Sequence, residues 1–441
     1  MNQGRYRAVM RVPGVGWLLT TSLVARLPVA MANLAIILRI ATATGSYARA
    51  GAVTGAYVVG TGLFGPFLGR VADRAGRRPV LLVAAVVNAA GLIALAFIPV
   101  RETLVILVVA AVAGASLPPV APAVRSLWPA LVPEDLRSGI YAFDATMQEA
   151  TFMVGPTLVA LLSSLSGPPA ALIACGGIGL VGTLAVSLHP AIGTPLTADP
   201  APAAAAAATA ASTPAAPGHT DDAADPGRGA VATTGPAAPS GDGAPRSAGR
   251  RLLHPAGLPG LGSLVVIVLV FLASILIVEV TVVAFAGHHH ASGQAGLLLA
   301  AWSTGSMVGG FSFGARSAHA GSRVLAPLML AAAVGFLCLA AAPGVGVLYG
   351  LLFLAGMSIA PGFSCIYGLV GQLAPATGSV EAFSWIASGI QMGAAGGAAL
   401  GGLLVEDIGT RWSFVFAAGC GLGTAGIAWW RAWRAGHREP A

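Results

Sequence analysis

Twelve stretches of roughly 18 to 25 residues with almost no charge punctuate this 441-residue chain, and that is the length a helix needs to cross a bilayer core. A backbone in lipid must satisfy its own hydrogen bonds, so each stretch is expected to be a helix. They lie near Trp17–Ile40, Ala50–Gly69, Pro79–Ile98, Leu104–Leu127, Gly139–Ser163 and Ala170–Ser187, then Gly262–Ala286, Gly293–Ala315, Val324–Ala342, Gly346–Leu373, Phe383–Leu404 and Trp412–Trp430. Only 9% of residues are charged and 56% are hydrophobic, far from the quarter or so charged in soluble domains. The fold class is therefore an all-α polytopic membrane protein, with the lipid bilayer as its first partner. The net charge of +7 comes from arginines in short segments between apolar runs, so nucleic acid is not an expected partner. Arg26 and the apolar run continuing to Leu38 argue that the first stretch is retained and is not a signal peptide. Cys175, Cys338, Cys365 and Cys420 fall singly in four different runs and read as small hydrophobes.

Against this background the segment Gly69-Arg70-Val71-Ala72-Asp73-Arg74-Ala75-Gly76-Arg77-Arg78-Pro79 stands out as a knot of charge between the second and third spans. Asp73 can pair with a neighbouring guanidinium, and Gly69 and Gly76 permit close helix approach or a positive φ. The knot resembles the loop between helices 2 and 3 of the major facilitator superfamily, Gly-x-x-x-Asp-Arg-x-Gly-Arg-Arg/Lys, at Gly69, Asp73, Arg74, Gly76, Arg77 and Arg78. The resemblance implies twelve helices in two pseudo-symmetric six-helix halves, a substrate site between the halves, and a conformational lock at the knot. It is to bacterial drug and metabolite exporters in particular. It further implies that the start of the eleventh span, near Glu381, docks on the Asp73 loop when the cavity opens outward.

The order of the chain agrees with a duplication. A shift of 245 residues places Gly314 on Gly69, Gly321 on Gly76, Arg323 on Arg78, Trp302 on Tyr57 and Gly305 on Gly60. A shift of 242 places Gly356 on Gly114, Ser358 on Ser116, Pro361 on Pro119 and Pro375 on Pro133. In the second copy Ala318 stands where the first has Asp73, so only one knot carries the full charge set. The expected divisions are an N-terminus at 1–16, a first bundle at 17–190, a linker at 191–257, a second bundle at 258–430 and a tail at 431–441. The linker is rich in Ala, Pro, Gly, Thr and Ser with no apolar periodicity, which predicts disorder. Counting arginines in short loops puts both termini in the cytoplasm, with the chain in the plasma membrane.

Ionisable residues inside spans each cost about 2.5–3.5 kcal/mol at a helix centre unless a partner or cavity offsets it. Asp144 and Glu149 lie about 8 Å and about 15 Å along the fifth span from Gly139, and five residues apart they do not share a face. Glu149 is the leading candidate for proton coupling, the alternative being a structural carboxylate tied to an arginine; for Asp144 the structural role is the favoured reading. Arg26 reads as the only arginine deep in a span and is expected to pair with Glu149 or Asp144. Arg125, near the end of the fourth span, is not an obvious part of that group. Glu279 lines the cavity mouth or reaches the interface, and Glu381 reads as a helix-start carboxylate. Asn33, Tyr57, Gln148, Trp302, Trp385 and Gln391 are the candidate cavity lining. Gly155-Pro156 resembles the end of the antiporter signature Gly-x-x-x-Gly-Pro, although Thr151 replaces its first glycine, and it marks a helix kink. The fourth-span arginine of proton-coupled exporters is also missing, since Ala110 stands four residues before Gly114.

No phosphate-cradling loop or His-Glu-x-x-His string occurs, and the Gly-x-Ser-x-Gly string at Gly310–Gly314 lies in an apolar span without its strand-turn-helix context. An enzyme is not expected, nor are a cofactor and a resident metal. The expected function is secondary active transport by alternating access, in the form of proton-coupled efflux of a small, moderately apolar molecule by a monomer. The alternatives are an importer or uniporter of a small metabolite, and a non-transporting membrane sensor.

Overall fold

The computed structural model describes residues 3–194, 260–289, 294–316, 322–375 and 378–436. The expected linker at 191–257 lies outside them from residue 195 onward, as do Ala318 and Gly321. Every regular element among the described residues is a helix. The first three spans are Val15–Thr44, Tyr47–Ala75 and Arg77–Phe97, and the fifth and sixth are Glu134–Ser166 and Pro168–Ser187. The seventh, eighth and ninth are Leu261–His288, Ala295–Arg316 and Ser322–Leu339. The eleventh and twelfth form one stretch, Ser379–Gly436, broken only at Gly409, where φ 80° and ψ 170° leave the helical region. Glycine is the residue that enters such a conformation without steric cost.

The fourth and tenth spans differ from the expected single helices. The fourth is Thr103–Ala115, then Val120–Arg125 and Trp128–Leu131; the tenth is Val345–Gly356 and Ile359–Leu373. Pro118 and Pro119 explain the first break, because proline lacks a donor and restricts the residue before it. The second break falls at the equivalent place in the repeat. With these pieces joined and the long stretch divided at Gly409, the described helices make twelve crossings in two sets of six, packed as one compact body. Leu63, Val83, Phe97, Leu104 and Trp429 are each more than 60% exposed, an outer surface made for lipid rather than water.

Within each half, glycines let helix backbones meet, as expected where packing and not water drives association. A methyl group placed on Gly114 would stand 2.8 Å from the Tyr57 carbonyl carbon, and Gly356 meets the Trp302 carbonyl in the same way. Gly60 against Ala111 recurs as Gly305 against Phe353, Gly176 against Ala89 as Gly421 against Ala333, and Gly155 against Ala30 as Gly397 against Ala273. The duplication seen in sequence is thus a duplication of backbone contacts. A contrast of two glycines tests it. Gly114→Ala is expected to destabilise by about 1–3 kcal/mol through overpacking. Gly51→Ala, with nothing within 4 Å of the added carbon, is expected to be neutral or to stabilise by up to about 1 kcal/mol through helix propensity. Thermal unfolding in detergent reads the difference.

Candidate functional site

Two polar assemblies join the halves. The first is at the Asp73 end of the bundle. The second span ends at Gly76, whose φ of 95° lets the chain turn straight into the third. That turn holds Asp73 against the start of the eleventh span, where helix N–H groups have no intrahelical acceptor. The Val380 N–H donates to Asp73 Oδ1 at 3.2 Å and the Glu381 N–H to Oδ2 at 2.8 Å. A carboxylate from one half thus caps a helix of the other, where the helix dipole favours negative charge. One turn back, Arg70 donates from Nε (3.0 Å) and Nη2 (2.6 Å) to Glu381 Oε1. Gly69 makes room, since a methyl group there would lie 3.0 Å from Glu381 Cα. Arg77 is buried with its Nε and Nη1 free of hydrogen-bond partners, whereas Arg74 and Arg78 are exposed. Arg70 is the contributor that the motif does not include.

The second assembly lies deeper. Asp144, 1% exposed, sits between two arginines: Arg26 Nη1 donates to Oδ1 at 2.6 Å and Arg125 Nε to Oδ2 at 2.5 Å. Arg125 Nη2 also donates to Gln148 Oε1 at 2.6 Å, and its guanidinium lies 3.7 Å from the centre of the Tyr367 ring. The Tyr367 hydroxyl donates to the same Gln148 oxygen at 3.3 Å, which ties the tenth span to the fifth. Arg26 is therefore not the only arginine deep in the bundle. The fourth span breaks after Ala115, and from the helix that resumes at Val120 Arg125 reaches Asp144. Its signal in the sequence is the Pro118-Pro119-x-x-Pro122 run.

Beside this assembly is a cavity of about 110 Å³ between the first, second, fourth, fifth and eleventh spans. Arg26, Arg125, Gln148 and Gln391 supply polar groups to its wall, and Val29, Phe152 and Ile390 are among its apolar groups. It sits above the Asp73 latch, with Gly65 and Ser388 at the seam of the halves; Ser388 Oγ would be 3.0 Å from a methyl group on Gly65.

Glu149 is half-buried on a different face of the fifth span, near enough to Glu279 of the seventh for their charges to interact. Among the described residues it joins no ion pair with an arginine. Asn33 and Trp385 are half-buried, and Asn33 Oδ1 and Trp385 Nε1 lack partners. Tyr57 and Trp302, 2% and 3% exposed, lie inside their own halves away from this cavity, Trp302 stacked on Phe336 at 5.6 Å. Gly155 is a contact point for Ala30, and Pro156 lies within the continuous fifth helix.

Comparison with known proteins follows from this architecture. Among curated proteins none matches the sequence. Solved structures match in fold. The human organic anion transporter MFSD10 (TETRAN) aligns at 18% identity over 96% of this chain and 99% of its own, with a TM-score of 0.63. A bacterial homologue of the iron transporter ferroportin, in an outward-facing state, aligns at 14% identity over 94% and 98%, TM-score 0.67. The E. coli fucose:proton symporter FucP aligns at 15% identity over 96% and 99%, TM-score 0.66. The sequence profile of the Major Facilitator Superfamily matches residues 18–281 and 262–441, nearly the whole chain. With twelve helices in two like halves, Asp73 of one half bonded to the start of a helix in the other, and a cavity between them, the chain belongs to the major facilitator superfamily and is a transporter, not an enzyme.

Proposed function

We propose that this transporter exports a small, moderately apolar molecule across the plasma membrane in exchange for protons, as a monomer with both termini in the cytoplasm. In this reading the Asp73 end is cytoplasmic and the latched arrangement faces outward; breaking the latch lets the halves rock and present the cavity to the other side. The observation that supports proton coupling is the setting of Glu149. It is a mid-span carboxylate between the halves whose charged neighbour is a second carboxylate, Glu279, while Asp144 takes Arg26 and Arg125. A proton, and not a guanidinium, is then the positive charge available to Glu149. Rocking changes the distance between the fifth and seventh spans, and with it the cost of holding two negative charges there.

The test uses proteoliposomes with a trapped pH dye and candidate compounds. Wild type is expected to show substrate-dependent proton flux under an imposed gradient, and Glu149→Gln to lose it while still binding substrate. Movement of radiolabelled substrate in both proteins without proton flux would make this a uniporter and Glu149 structural. Substrate entering together with protons would make it an importer.

A further inference from the structure

The geometry points to a docking site for the carboxylate of an amphipathic organic monoanion at Arg26, and the transport reading above is needed only for what happens to that ligand once bound. The buried charges do not balance. Arg26 and Arg125 share one carboxylate, Asp144, so the buried cluster carries one net positive charge. The charged residues on the cavity wall are these two arginines, and no carboxylate is among the residues that line it. An uncompensated charge at this depth is costly, and a ligand that supplies one negative charge relieves it.

The hydrogen-bond pattern says where. Arg26 is 6% exposed, on the cavity wall, and uses only Nη1 on Asp144. Its Nε and Nη2 are themselves buried and have no hydrogen-bond partner, so a ligand must part the side chains that cover them. These two nitrogens form one edge of the planar guanidinium, whose parallel N–H groups fit the two oxygens of a carboxylate. The same edge of Arg70 is the one that grips Glu381. Around the cavity, Val29, Leu117, Phe152 and Ile390 offer an apolar wall, while Gln148 and Gln391 offer neutral polar contacts. Charge at one end and hydrocarbon at the other describe a small aryl or alkyl carboxylate. A dianionic phosphate would overshoot the single positive charge.

Thermal unfolding of the purified full chain in neutral detergent tests this with four probes: 4-phenylbutyrate, its amide, 4-phenylbutylamine and inorganic phosphate. The carboxylate alone is expected to raise the melting midpoint in a saturable way. Arg26→Lys keeps the charge but loses the paired edge, and is expected to weaken this binding at least about tenfold. Equal stabilisation by the amide, the amine or phosphate, or none by carboxylates of any chain length at millimolar concentration, overturns the proposal without recourse to a variant. The two readings fail separately. A carboxylate that binds through Arg26 but does not move in vesicles leaves this site standing and removes transport of that ligand; proton flux driven by a neutral compound that the carboxylate does not compete with does the reverse.

Discussion

Asp144→Asn is expected to destabilise the protein by about 3–5 kcal/mol, because it leaves two buried guanidiniums with no counter-charge. The substitution keeps the side-chain shape and removes only the charge, so cavity formation does not contribute. Arg26 and Arg125 belong to the first and fourth spans, Asp144 to the fifth, and the Arg125–Gln148–Tyr367 chain extends the cluster into the second half. Loss of the carboxylate therefore acts on four helices at once. Unfolding by heat or denaturant in detergent measures the effect. Adding Arg26→Gln to Asp144→Asn removes one of the stranded charges and is expected to restore part of the loss, with a coupling energy of about 0.5–3 kcal/mol in the double-mutant cycle. An unchanged melting midpoint in Asp144→Asn would show that the cluster does not brace the bundle.

The second large effect is on conformation and not on folding. Asp73→Asn and Glu381→Gln each remove charge from the latch, and hydrogen bonds to charged groups contribute about 1.5–3 kcal/mol. In the proposed cycle these contacts hold only while this end is closed, and their loss is expected to shift the equilibrium between the two orientations by roughly 10- to 100-fold. A single cysteine at Ser384, 1% exposed and packed on Gly69, reports on it when the native cysteines are replaced. The rate of labelling by a polar maleimide is expected to rise by about tenfold or more in either variant. Arg70→Lys, which keeps the charge but not the double contact, is expected to fall between wild type and Glu381→Gln. Equal labelling rates in all four proteins would show that other contacts set the balance.

How far the sequence carried these conclusions depended on the kind of physics involved. The crossings were legible because lipid imposes length and apolarity on each one, and Gly69–Arg78 because charge is rare in this chain. The repeat was legible because glycine is irreplaceable where backbones touch, as Gly114 and Gly356 do. The partners of the buried charges were not. Helix spacing separates the faces of Asp144 and Glu149 but cannot say which face meets an arginine, and the broken fourth span moved Arg125 away from where a straight helix would carry it. Tyr57 and Trp302 show the same limit. Both were expected at a cavity, and both lie beside the glycine that lets the neighbouring backbone close over them, which leaves their rings inside each half.

In the sequence repeat Ala318 stands opposite Asp73, so the carboxylate that holds the Val380 and Glu381 N–H groups is not duplicated. On the proposal above, the contact of Asp73, Arg70 and Glu381 forms only with this end shut, which would give the transporter a default posture. In that reading it is expected to wait with the Asp73 end shut when no ligand and no gradient are present, and to need driving away from that posture. The slow half of any working cycle is then the departure, and compounds that slip between Gly69 and Ser384 would act as a chock that holds the catch open.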